Sequence, residues 1–139
     1  MTSQAIYNNR LVRLARFLRT DPVFDFSDFL SNIQARFKPD LSCGTSACAL
    51  GWAAALPEFR ALGVELSVDR NQTLFQLDGK NCSFHTVSAR LFGLTEKEAR
   101  YLFMPAYRIA GYPSSPPGNA TARQVANHIL RFVRLRRAG

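Results

Sequence analysis

Apolar positions recur at helical spacing over residues 7–19. Tyr7, Leu11, Leu14, Ala15 and Leu18 share one face, while Arg10, Arg13, Arg16 and Arg19 spread over the other side. The pattern predicts an amphipathic helix that ends at Thr20-Asp21-Pro22, because proline disfavours helical geometry in the residue before it. Ser27 then caps a second helix over 28–37, with Phe29, Leu30, Ile33 and Phe37 as its stripe and Asp28 in its first turn. Asp21, Asp25 and Asp28 cluster at this entrance as capping and dipole compensation rather than as an acid–base site. A third helix follows Thr45, its N-cap, and is apolar through Ala49, Leu50, Trp52, Ala53, Ala54, Ala55 and Leu56. A helix apolar all round belongs inside, so this one is expected to be the most buried element. Pro57 ends it or opens a short turn to Leu62-Gly63.

The period then changes. Residues 64–68 alternate apolar and polar, residues 73–77 also read as strand, and Asp69-Arg70-Asn71-Gln72 joins them as a hairpin. Asp78-Gly79-Lys80-Asn81 reads as a turn. Helical spacing returns over 85–92 and stops at Gly93, a residue suited to the position after a helix end. Thr95 and Glu98 form a capping box that opens a short helix through Phe103, stopped by Pro105. After an irregular loop from Gly111 to Gly118, a last helix spans 121–136. Val125, Ile129, Phe132 and Val133 face inward there, and Asn127, Arg131 and Arg134 face out. The expected architecture is a mainly helical α+β fold, with about five helices around a buried central helix and one small β-hairpin, in a single compact domain over 1–139.

Composition sharpens the picture. A chain of 139 residues that is 47% apolar and 20% charged can bury a sizeable core. Its apolar runs are far shorter than the ~20 residues that cross a bilayer. Arginines interrupt the first apolar stretch where a signal peptide would need continuity, so a cytoplasmic protein with no membrane span is expected. Cysteines number only 3, which speaks against a secreted disulfide scaffold.

The net charge is +8, and Lys38, Lys80 and Lys97 are the only lysines among 18 cationic residues. Arginine suits bidentate contacts to phosphate or carboxylate. An acidic partner, protein or nucleic acid, is therefore expected on the two arginine-rich helices, through Arg10, Arg13 and Arg16 of the first and Arg131 and Arg134 of the last. Arg136 and Arg137 extend the C-terminal cluster. The short helices 85–92 and 96–103 are spaced like a helix-turn-helix, although Leu102-Phe103 is too apolar for an exposed reading helix. The chain carries no phosphate-binding or dinucleotide glycine loop, so no nucleotide cofactor is expected, and no HExxH or G-x-S-x-G motif.

The chemistry concentrates in Cys43-Gly44-Thr45-Ser46-Ala47-Cys48, which leads into Gly51 and Trp52. Four readings stand side by side. Cys48 in the first turn of a helix feels unpaired N–H groups that favour a thiolate, so it is a candidate nucleophile with His85, or else His128, as base. Cys43, Cys48, Cys82 and His85 have the ligand count of a structural zinc site. Cys43 and Cys48 are close enough in sequence for a disulfide. In the fourth reading the motif is structural and no cofactor is favoured: Gly44 turns, Thr45 caps, Gly51 lets another element approach, and Cys43 and Cys48 pack beneath Trp52.

The stretches Asn9 to Leu18, Phe24-Asp25-Phe26, Cys43 to Ala53 and Phe92 to Phe103 together resemble a family of small uncharacterised bacterial and bacteriophage proteins with a C-G-T-x-A-C-x-x-G-[WH]-A core. The resemblance implies one compact domain in a bacterial or phage setting and carries no reaction. Cys82 and His85 fall outside its pattern, which weighs against zinc and against a Cys48–His85 pair. The leading expectation is a small non-enzymatic interaction protein, with a thiol-dependent enzyme as the alternative and a zinc-binding domain as the third.

Overall fold

The computed structural model describes residues 3–20, 49–69, 72–104, 107–117 and 120–138. The predicted helix over 28–37, the Asp21, Asp25 and Asp28 group and the run from Cys43 to Cys48 lie outside the described residues. The elements are α1 (Ser3–Leu18), α2 (Ala49–Ala55), α3 (Pro57–Arg60), β1 (Val64–Asp69), β2 (Gln72–Leu77), β3 (Lys80–Cys82), α4 (Phe84–Phe92), α5 (Glu96–Phe103) and α6 (Ala122–Ala138). The fold is mainly helical α+β, with six helices and one three-stranded sheet among the described residues.

The apolar stripe of α1 forms as its spacing dictates, with Leu11, Leu14, Ala15 and Leu18 all fully buried. It packs along α6, the most extensive helix–helix contact among the described elements. The described side chains of α2 are buried all round, from Ala49 and Leu50 to Trp52, Ala53 and Ala54, as expected for a helix without a polar face. Pro57 does more than stop α2. It is the first residue of α3, where a fixed φ and a missing N–H cost nothing.

The sheet is an antiparallel meander in the order β1-β2-β3. Val64 lies opposite Leu77 and Asp69 opposite Gln72, so the first connection is tighter than the predicted link. The predicted turn over Asp78-Gly79-Lys80-Asn81 is corrected: only Asp78 and Gly79 turn, and Lys80 and Asn81 belong to β3, with Lys80 opposite Leu77 and Cys82 opposite Phe75. Both turn residues have positive φ (53° and 83°), the requirement of the tight hairpin turn that Asp-Gly favours. The strand escapes a hydrophobicity pattern because Lys80 and Asn81 are exposed and polar.

Helix ends are closed locally. Ser83 caps α4 by accepting from the Thr86 N–H. Thr95 and Glu98 form the expected reciprocal box at α5 (Glu98 N–H to Thr95 Oγ1 3.2 Å, Thr95 N–H to Glu98 Oε1 2.9 Å). Thr121 and Gln124 make the same box at α6. Gly93 ends α4 in the left-handed region (φ 63°). A Cβ there would also lie 2.4 Å from the Tyr7 ring, so conformation and contact both demand glycine.

The carbonyls at the C-terminus of α4 are closed from a distance. Arg10 of α1 donates to the Leu91 oxygen (3.0 Å) and more weakly to that of Arg90 (3.4 Å). Arg136 of α6 donates to the Phe92 and Gly93 oxygens (3.2 and 3.1 Å). Its guanidinium also sits 5.5 Å from the Phe132 ring centroid. Two cations thus face the negative end of a helix, where backbone acceptors are left open.

Candidate anion-binding cleft

Residues three apart on a helix are rotated by roughly 60° relative to one another, so Arg10, Arg13, Arg16 and Arg19 fan over about half the circumference of α1. They cannot share one ligand. Arg10 is held by the α4 carbonyls, Arg13 pairs with Glu58 of α3, and Arg16 is exposed. Arg19, in the turn just past α1, falls on the opposite flank from Arg10 and reaches α6. Its Nη2 donates to Asn127 Oδ1 at 2.7 Å.

On α6 the outward residues Asn127, Arg131 and Arg134 follow i, i+4, i+7 spacing and so form one stripe. Together with Arg19 and Leu130 they line a cavity of about 430 Å3 between the end of α1 and α6. Among the described residues the cleft is lined by three guanidiniums, one amide and one aliphatic side chain, with no carboxylate. The ion pairs among the described residues lie elsewhere: Arg13–Glu58, Arg90–Asp78 and Arg100–Glu96. Such an arrangement can bind an anion, and its described residues include no group suited to proton transfer or nucleophilic attack.

A second hollow of about 260 Å3 lies on the other flank of α1, lined by Ile6, Phe59 and Leu62 with Asn9, Arg10, Arg13 and Glu58 around them. Its cations already have acceptors in the fold. The expected binding residues are therefore divided. Arg131 and Arg134 meet Arg19, Arg10 and Arg13 border the apolar hollow, and Arg16 lies between the two on α1. Arg19 and Asn127 enter the site through a contact 108 residues apart in sequence, which no local spacing reveals.

Of the sulfur and imidazole candidates, the described ones, Cys82, His85 and His128, do not line the cleft. Cys43, Gly44, Thr45 and Cys48 lie outside the described residues, and so does any disulfide between the cysteines. Gly51 and Trp52, the described end of that motif, are buried in α2. Cys82 is half-buried at the end of β3, where burial raises its thiol pKa and Arg90 only partly opposes this. That is the reverse of what a thiolate site needs. His85 is half-buried in the first turn of α4. Among the described residues no group of three or more His, Cys, Asp or Glu side chains is placed to hold a metal ion.

His128 is 1% exposed and serves the fold. Its Nε2–H donates to the Tyr101 carbonyl (2.9 Å), one of the acceptors left open in the last turn of α5. Its Nδ1 has no partner, and burial, reinforced by nearby Arg131, holds its pKa below the ordinary histidine value. The helix-turn-helix reading also loses its surface. Tyr101, Leu102 and Phe103 are buried, and the exposed start of α5 carries Glu96 beside Lys97. No helix among the described residues is long and apolar enough to cross a membrane. No protein-family model, curated protein or solved structure matches the chain.

Proposed function

We propose that this chain is a small non-enzymatic interaction protein that binds an acidic partner, protein or nucleic acid, through the cleft between α1 and α6. The observation that carries the reading is the convergence of Arg19, Arg131 and Arg134 on one open cavity that no carboxylate lines among the described residues. Like charges gathered without compensation repel one another, so such a cluster is better satisfied by a bound anion than left bare. The net charge of +8 draws an acidic partner over a longer range. A cytoplasmic site of action fits the low cysteine content of the chain.

The test is a binding titration of the full chain against poly-glutamate and against a random-sequence DNA duplex, from about 50 to 200 mM salt. Binding to at least one, falling with salt and strongly weakened in Arg131→Ala/Arg134→Ala, is expected. Failure to bind either polyanion at the lowest salt would sink the proposal.

A further inference from the structure

Resting on that reading, we infer that the partner is double-stranded nucleic acid, held by its phosphates without base readout. The lining of the cleft decides against the other acidic partners. An acidic protein would bring a contact patch that needs an apolar centre, and its strongest anchors would be aromatic or large aliphatic groups seated in pockets. Here Leu130 is the sole apolar residue in the lining among the described residues. Single-stranded nucleic acid binds by stacking its bases on aromatic faces. Among the described residues no aromatic side chain lines the cleft. The described rings nearest in sequence, Phe17 and Phe132, pack on other rings of the fold, Phe17 on Trp52 (centroids 5.1 Å apart) and Phe132 on Tyr112 (5.5 Å).

What the cleft offers is planar donor forks, which match phosphate oxygens. Arg19 is oriented in advance by its 2.7 Å bond to Asn127, which uses one of its donors and leaves the others for a ligand. Arg131 and Arg134 are offset by roughly 4.5 Å along the axis of α6. On each strand a duplex presents a phosphate about every 3.4 Å of its axis, so neighbouring phosphates come within reach of neighbouring arginines on their long side chains. Asn127, the one amide among the described lining residues, has its oxygen taken by Arg19, so the contact fixes position on the backbone and carries no sequence preference.

Counterion release makes this quantitative. Three neutralised phosphates give a slope of about −2.7 for log affinity against log salt, or about a 40-fold loss between 50 and 200 mM. Arg10 and Arg136, occupied by backbone carbonyls, add nothing to the slope. The experiment is fluorescence anisotropy of a labelled random-sequence DNA duplex with the full chain, repeated with one of its single strands and with labelled poly-glutamate. Arg131→Ala and Arg134→Ala are each expected to flatten the slope by about 0.9, and the double variant to leave about −0.9. Arg60→Ala removes an equal charge from an exposed site on α3 and is expected to leave the slope unchanged. Arg131→Lys keeps the charge, so it retains the slope while weakening binding, which separates the cleft from a folding defect.

Tighter binding of the single strand overturns the inference, as does an Arg60→Ala effect equal to that of the cleft variants. Preferential, arginine-dependent binding of poly-glutamate overturns it too, while leaving the acidic-partner reading intact. Absence of binding to all three probes removes both.

Discussion

The two flanks of α1 carry the same residue type and end in opposite states. At one flank Arg10, joined by Arg136 from α6, closes the C-terminal carbonyls of α4. At the other, Arg19 joins Arg131 and Arg134 around an open cavity. The guanidiniums are chemically identical, so the difference comes from what lies within reach. A helix end supplies unpaired oxygens that absorb a cation's donors, whereas the outward side of α6 offers Arg19 a single amide oxygen. A basic composition therefore divides into cations that close backbone acceptors of the fold and cations that line an open cavity.

The comparison breaks most severely at Gly93, the point where Tyr7, Arg136 and the end of α4 meet. Gly93→Ala adds an unfavourable left-handed residue and a clash with the Tyr7 ring, and is expected to cost about 3 kcal/mol in urea unfolding. Arg136→Ala leaves the Phe92 and Gly93 carbonyls half-buried without donors, and is expected to cost about 2 kcal/mol with no change in the salt slope of binding. Full stability in Arg136→Ala would show that its bonds are incidental.

His128 supplies a pH test of the packing beneath Arg131. Its pKa is depressed in the fold, so below the unfolded value of 6.5 the unfolded chain takes up a proton that the folded chain refuses. The stabilisation is complete above that pH. It is lost as pH falls from 6.5 toward the lower folded value, by at most about 1.4 kcal/mol per pH unit. His128→Gln should abolish that dependence, and an unchanged pH profile in the variant would show that another group titrates. Arg10→Ala, which loses one good bond and one weak one, is expected to cost about 1 kcal/mol, measured by the same unfolding curves. Smallest in stability and largest in binding are Arg131→Ala and Arg134→Ala, whose melting temperatures should match the parent while polyanion affinity collapses.

Much of the fold is legible without coordinates, because helix ends and apolar stripes are local. Thr95 with Glu98, Gly93 after Phe92, and the all-apolar α2 each behave as their neighbours in sequence demand. Other local signals are present and easily passed over. Asp78-Gly79 announces a hairpin whose second strand is too polar to notice, and Thr121 with Gln124 repeats the box at α5. Ser83 caps α4 in the same manner.

The site divides along the same line. Sequence alone determines that α1 and α6 are amphipathic and basic, and that Arg131, Arg134 and Asn127 point outward, because 3.6-residue periodicity sorts the faces of any helix. Only the tertiary structure decides which arginines are occupied. Arg10 meets carbonyls 80 and 81 residues away, Arg136 meets them 43 and 44 residues away, and Arg19 finds Asn127 across 108 residues. Those pairings depend on how α1, α4 and α6 pack. Helix packing sets which backbone acceptors each side chain can reach, and a helical pattern read one element at a time holds no such distances.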